Sequence, residues 1–176
     1  MNVMKEIQIE KVTLNIGAGK PGPELEKSKI LLNKISGMKP SETRTKKRIP
    51  GWSLRPNLVI GCKVTIRGDK AMEVVKNLLG AKDMMLSKRA FDNSGNFAFG
   101  IHEYLDIPSL DYMPDVGMKG LEISVTLKRK GGYRLKRRSL MARKIPQRHS
   151  VSKEEAITFA KEKIGLKLTE EEEAEE

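Results

Sequence analysis

Lys63, Thr65 and Arg67 alternate with Cys62, Val64 and Ile66 in the segment IGCKVTIRG. A strand sends successive side chains to opposite faces, so one face here is apolar and the other carries ammonium, hydroxyl and guanidinium groups. Those groups give phosphate oxygens charge-assisted and neutral hydrogen bonds, the chemistry of a polyanion contact. An ordinary solvated sheet face has the same pattern, and the segment alone does not separate the two. A second set, Arg44, Lys46, Lys47 and Arg48, stands near Trp52 and Arg55 in a stretch broken by Pro50, Gly51, Pro56 and Asn57. Loops that touch RNA mix cations for phosphate with a ring or guanidinium plane for stacking. The other reading of Trp52 is a loop anchor folded back on the core, and both hold if one face of the ring packs. A third set is a run of ten Lys or Arg with no acid over residues 128–148, including Arg129, Lys130, Arg134, Lys136, Arg137 and Arg138. Such a run repels itself when free and meets a polyanion more readily than plain solvent; a nuclear-type targeting patch has a similar composition. Asn15 is a polar residue in an otherwise apolar run, placed either to satisfy a backbone group or to reach a base or sugar from the strand end.

Charge sharpens this reading. The 176-residue chain carries a formal net charge of +11, unevenly spread. Residues 169–176 hold six Glu and no cation; before them, 34 Lys and Arg face 17 acids, a balance of +17. A field of that size speaks of partners, and the usual partner is a nucleic-acid backbone that releases counterions on binding. An acidic membrane surface would call for an amphipathic helix with exposed large apolar residues, and none is evident. The single cysteine, Cys62, permits no internal disulfide and no CxxC metal site. His102 and His149 form no HxxxH or HExxH pattern, and Gly17, Gly19 and Gly22 in GAGKPGP match neither GxGxxG nor a P-loop. No arrangement for catalysis, cofactor or metal is found. The start MNVMKEIQIEK has no long apolar run, so the expectation is a cytoplasmic protein.

The elements that would position these groups follow from periodicity. Residues 5–17 alternate in two phases, Ile7 and Ile9 against Val12, Leu14 and Ile16, which predicts a strand with a bulge near Glu10 and Lys11. Residues 24–36 predict a helix with Pro23 in its first turn, a stripe of Leu25, Ser28, Leu32 and Ile35, and Gly37 at its end. Residues 39–67 hold eight cations against one acid, Glu42, and read as a short strand, a long loop and the strand that carries Lys63. Asp69 is the expected N-cap of a helix over 70–79 that Gly80 ends. FDNSGN is a turn before the alternating Phe97, Phe99 and Ile101; residues 106–120 are an irregular connection; Leu121, Ile123, Val125 and Leu127 mark a clear strand. Ser152 and Glu155 match a capping box for a terminal helix with a stripe of Ile157, Ala160 and Ile164. The expected fold is α+β: one domain over residues 1–168, a largely antiparallel sheet with helices packed on one face, and an acidic tail over 169–176 disordered by its own repulsion.

Four segments in one order, IEKVTLNIGAGK, ISGMKPSETRTKKRIPGWSLRPNLVIGCKVTIRG, FDNSGNFAFGIHEYLDIP and DVGMKGLEISVTLKRKGGYRLKRR, resemble the large-subunit ribosomal protein five family, in its archaeal and eukaryotic form. The resemblance implies a structural constituent of the large ribosomal subunit that binds 5S rRNA and helps attach it in the central protuberance. It implies partners in large-subunit rRNA, P-site tRNA, neighbouring ribosomal proteins and a small-subunit bridge protein, with no cofactor, metal or membrane. By motif, the 5S rRNA surface would take Asn15, Lys39, Pro40, Thr43, Arg44, Lys63, Thr65 and Arg67. The loop facing P-site tRNA would take Lys47, Arg48, Trp52, Arg55 and Asn57. Bacterial members have AGF-like residues where this chain has Pro50-Gly51-Trp52, so the resemblance covers the loop more than its side chains. Whether Asp92, Asn93 and Asn96 in FDNSGN bind or only shape the fold stays open, and the bridge contact has no sequence marker. An RNA chaperone or assembly factor outside the ribosome, an RNA-modifying enzyme and a basic membrane-surface protein are the rival readings.

Overall fold

The computed structural model describes residues 2–130 and 135–169, and the backbone of 133 and 134. Arg134 as a contact residue and the acidic stretch from 170 onward lie outside it.

The chain runs β1 (Ile7–Gly17), α1 (Pro23–Ser36), β2 (Ser41–Arg44), β3 (Val59–Ile66), α2 (Asp69–Gly80), β4 (Met85–Ser87), β5 (Phe97–Ile101), β6 (Leu121–Arg129), α3 (Tyr133–Arg137), α4 (Lys153–Phe159) and β7 (Lys167–Thr169). Five strands form one antiparallel sheet in the order β2-β3-β1-β6-β5. β1 lies at its centre, and the register between β1 and β6 shifts between Ile9 and Lys11. That bulge sits where the two apolar phases meet. It lets Ile9, opposite Leu127, and Val12, opposite Val125, share the same face despite their odd spacing.

Val12, Leu14, Cys62, Val64, Ile66, Ile123 and Val125 are buried on that face. α1 packs against β3 and α2 against β1. α1 begins with Pro23 and closes on Gly37, whose N–H donates to the Asn33 carbonyl. Its buried stripe is Leu25, Ser28, Leu31 and Leu32, with Ile35 only half-buried. Lys119, from the irregular connection before β6, reaches the first turn of this helix. Its Nζ donates to the Glu24 carbonyl at 3.1 Å and to Glu24 Oε2 at 2.7 Å. The Lys119 ammonium holds the Glu24 carboxyl below its ordinary range.

Two expectations about helices need correction. Gly68, not Asp69, is the N-cap of α2; Asp69 is its first residue and makes no capping hydrogen bond, while Gly80 is its last residue, as expected. The glycine takes the extended positive-φ entry that a side chain would resist. In the last helix the buried side chains are Ala156, Phe159, Ala160 and Ile164; Ile157 is only half-buried, because a π turn over Ala160–Ile164 rotates the stripe. β4 and β7 pair in parallel, Leu86 with Leu168, and were not anticipated: three-residue strands carry too little periodicity to read.

FDNSGN is a structural turn. Asp92 Oδ1 accepts from the N–H groups of Ser94 (2.9 Å) and Asn96 (2.7 Å), and Oδ2 accepts from Asn96 Nδ2 (2.9 Å). Gly95 has φ 75°, and a Cβ there would stand 2.7 Å from Val151 Cγ1, so the turn abuts the entry to α4.

The capping box of Ser152 and Glu155 is present. Glu155 also accepts from Arg129 Nη2 at 2.7 and 2.6 Å, while Arg129 donates to the Ser150 carbonyl from Nε and to the Lys5 carbonyl from Nη1, both at 3.3 Å. Burial alone would raise the Glu155 carboxyl; the Ser152 N–H and the Arg129 guanidinium outweigh it and hold the carboxyl below its ordinary range. The pair therefore stabilises the fold above the ordinary carboxylate pKa, and that contribution fades as pH falls through the lowered value. Glu155→Gln should lower stability near neutral pH by about 1 kcal/mol, allowing for solvent around the carboxylate. In thermal melts from pH 7 down to pH 3 the gap to the parent protein should close; a constant gap would show that charge is not its cause.

Candidate nucleic-acid interface

Alternation and register together define the second face of the sheet. Lys63 of β3 stands opposite Asn15 of β1 and Ser41 of β2, and Asn15 stands opposite Glu122 of β6. The next row runs Thr65, Thr13, Ser124 and Ala98. Thr43 faces Gly61 in a third row, where a Cβ on Gly61 would sit 2.9 Å from Thr43 Oγ1 and 2.7 Å from the Ile16 carbonyl. The absent side chain lets β2 close over β3. This face therefore presents hydroxyls, the Asn15 amide, the Glu122 carboxylate, small residues and the exposed Lys63, with no large apolar group in these rows. Arg67 lies exposed just past β3 in the same alternation.

Asn15 has a specific partner: its Nδ2 donates to Glu122 Oε2 at 3.1 Å. Asn15 thus holds a carboxylate in the middle of a surface otherwise suited to phosphate. Glu122 was not singled out from sequence. Its alternation in β6 was plain, but its place beside Asn15 and across from Lys63 exists only once the strands are in register.

Lys39, Pro40 and Arg44 belong to a neighbouring hollow of about 620 Å³ between α1 and β2, together with Lys29, Ile30, Asn33, Ser41 and Glu42. Lys29 Nζ donates to Glu26 Oε1 at 2.8 Å and to Glu42 Oε1 at 3.0 Å, and Arg44 Nη2 lies 3.7 Å from Glu42 Oε2. Glu26 and Glu42 push the Lys29 ammonium up, and Lys29 in turn holds the Glu42 carboxyl down. The lone acid of the basic 39–67 stretch is thus the hinge of this cluster.

The loop from 45 to 58 is fastened at its base. Thr45 N–H donates to the Leu58 carbonyl and Asn57 N–H to the Thr45 carbonyl, each at 2.9 Å, and the Thr45 hydroxyl bonds the Arg55 carbonyl. Near its tip, Ile49 and Leu54 bridge around a 3₁₀ turn at Pro50–Trp52. Lys47, Arg48, Arg55 and Asn57 are all exposed. Trp52 is 70% exposed, so it is not a core anchor. With Gly51, Ser53 and Leu54 it lines a cleft of about 780 Å³ against the glycine-rich turn 17–22.

The basic stretch divides. Arg129, expected to contact phosphate, has only 10% of its side chain exposed and directs its guanidinium inward to Glu155. Lys130 pairs with Glu6 at 3.2 Å. Arg138 donates from Nε to the Met141 carbonyl at 2.8 Å, and Lys136, Arg137 and Arg138 lie in or beside α3 on the solvent side. Cys62 is buried and desolvation pushes its thiol up, as befits a core residue. Among the described residues no group of His, Cys, Asp and Glu could hold a metal ion, and no helix is long and apolar enough to cross a membrane.

Comparison with known proteins now adds to the geometry. Residues 2–55 match the family model described as ribosomal protein L5, and residues 59–159 match the model of the C-terminus of the same ribosomal family. The large ribosomal subunit protein uL5 of Nanoarchaeum equitans is 46% identical over 166 residues, 94% of this chain and 97% of that protein. Those of Nitrosopumilus maritimus (43% over 163 residues; 93% and 94%) and Sulfolobus acidocaldarius (40% over 169 residues; 96% and 94%) match as fully. All three are archaeal, within the archaeal and eukaryotic form that the sequence motifs resemble. With both halves matched in order and joined in one sheet, this chain belongs to the L5 family of large ribosomal subunit proteins.

Proposed function

We propose that the protein binds 5S rRNA on the open face of its sheet and helps fix that RNA to large-subunit rRNA in the central protuberance. As a member of the L5 family it is a structural constituent of the large ribosomal subunit and not an enzyme. The observation that carries the finer reading is the continuous polar row Ser41, Lys63, Asn15 and Glu122 across four strands, on the face opposite the helices. A pleated surface with hydroxyls and one exposed ammonium suits an irregular RNA backbone, and RNA is recognised mainly by such shape and non-duplex features. Lys39, Pro40, Thr43 and Arg44 extend this surface around β2, and Arg67 extends it past β3. Glu122 refines it: a carboxylate repels any phosphate that does not fit and accepts hydrogen bonds from base or ribose donors that do.

The exposed Trp52, with Lys47, Arg48, Arg55 and Asn57 on a loop fastened at its base, is the element facing P-site tRNA. Lys136, Arg137 and Arg138 meet large-subunit rRNA, and Arg129 positions that stretch from within through Glu155. The connection over 103–118 holds four acids and no Lys or Arg, and exposes Leu105, Tyr112 and Met118. Its acids and exposed apolar side chains suit a protein partner, such as the small-subunit bridge protein, better than RNA.

Binding to 5S rRNA and to a length-matched structured control RNA across a salt series tests the main assignment. Lys63→Ala should weaken 5S binding about tenfold and lower the salt slope by roughly one; Thr65→Ala should weaken it less and leave the slope alone. Equal, steeply salt-dependent binding to both RNAs would reject a 5S-specific face. Glu122→Gln should tighten the control RNA more than 5S rRNA, eroding discrimination severalfold; an equal gain for both would remove Glu122 from any selective role. Trp52→Ala should leave the melting temperature and 5S affinity unchanged while weakening P-site tRNA on assembled ribosomes by about tenfold. Unchanged tRNA affinity would take the ring out of that contact.

A further inference from the structure

Among the described residues Leu140 and Met141 are the most exposed large apolar side chains, at 80% and 73%. They stand within RRSLMARK, inside the acid-free run of cations over residues 128–148. The surrounding turn is tied down at both ends. Arg143 N–H donates to the Leu135 carbonyl at 3.3 Å, and Arg138 Nε donates to the Met141 carbonyl at 2.8 Å. Met141 takes φ 53°, a left-handed conformation uncommon outside glycine, asparagine and aspartate. Beside the turn lies a hollow of about 400 Å³ lined by Lys136, Ala142, Arg143, Lys144 and Ile145. A fastened turn that holds two apolar side chains in water among cations is a surface built to be covered.

Charge decides what covers them. The overall field of a second copy of the chain, at net +11, opposes its docking on this stretch, as does that of any basic protein. Two side chains on a turn offer too little apolar area for a membrane surface, which takes a helix with a whole apolar face. RNA offers both chemistries at once: phosphates, and apolar base faces exposed in bulges, loops and the shallow minor groove. We infer that this turn is an apolar wedge for structured rRNA, in which Leu140 and Met141 pack on unstacked or edge-exposed bases while Lys136, Arg143 and Lys144 take the flanking phosphates. The inference rests on reading residues 136–148 as an rRNA-facing stretch.

The two contributions separate by their response to salt. Phosphate contacts release counterions and set the slope of affinity against salt; an apolar contact to a base adds affinity without changing it. Leu140→Ser/Met141→Ser and Lys136→Ala/Arg143→Ala/Lys144→Ala would be compared with the parent protein on 5S rRNA and on large-subunit rRNA across a salt series. Thermal melts accompany them to confirm folding, since both apolar residues are exposed. The wedge predicts about tenfold weaker binding to large-subunit rRNA for the apolar pair with an unchanged slope, and a slope lower by about two for the cation triple. A changed slope in the triple with unaltered affinity in the apolar pair would overturn the wedge and leave the rRNA-facing stretch standing. No change in either variant would overturn both, and loss of self-association in the apolar pair without loss of RNA affinity would overturn the wedge and assign the turn to a second copy instead.

Discussion

β1 hydrogen-bonds to β3 on one side and β6 on the other, and the rest of the molecule depends on its register. Its bulge between Ile9 and Lys11 brings two out-of-phase apolar runs onto one face. With that face filled by α1 and α2, every second residue of β3, β1 and β6 is left on the other side of the sheet. The surface proposed for RNA is thus the complement of the core, and a one-residue slip of β1 would exchange the two. Gly61 serves the same end at the edge, where any side chain would push Thr43 and β2 away.

Charged groups fall into two kinds. Lys119 on Glu24, Lys29 between Glu26 and Glu42, and Arg129 on Glu155 are internal fasteners that tie loops and helix ends to the sheet. Lys63, the loop cations and those around α3 lie at the surface and carry the field toward a polyanion. Division of labour between the two kinds explains how a chain so rich in cations folds. The fasteners neutralise charge where elements meet, and the excess of positive charge is left on outward-facing surfaces. Glu122 is the exception, an acid set inside the basic surface and oriented by Asn15.

The irregular segments are structured by local contacts of the same sort. FDNSGN satisfies its own backbone through Asp92 and seats Gly95 against Val151, so it shapes the fold at the entry to α4. The 45–58 loop is fastened at its base and bare at its tip, where Trp52 stands in solvent. A rigid base with an exposed ring limits the ordering entropy lost when a partner arrives.

The α+β class, the bulge in β1, the Lys63 face of β3, the capping box at Ser152 and the family motifs were all legible in the residues, because each rests on local periodicity or turn chemistry. Tertiary structure alone decided which polar residues distant in the chain meet. Asn15 beside Glu122 joins positions 107 residues apart, and Arg129 turned toward Glu155 removes a cation from the surface that its neighbours in the run occupy. The exposure of Trp52, the short parallel pair of β4 and β7 and the Lys119 tie to α1 were likewise beyond sequence. Strand alternation assigns a residue to a face, but which side chains share that face, and which charge is neutralised, depends on cross-strand register and packing between elements distant in the chain.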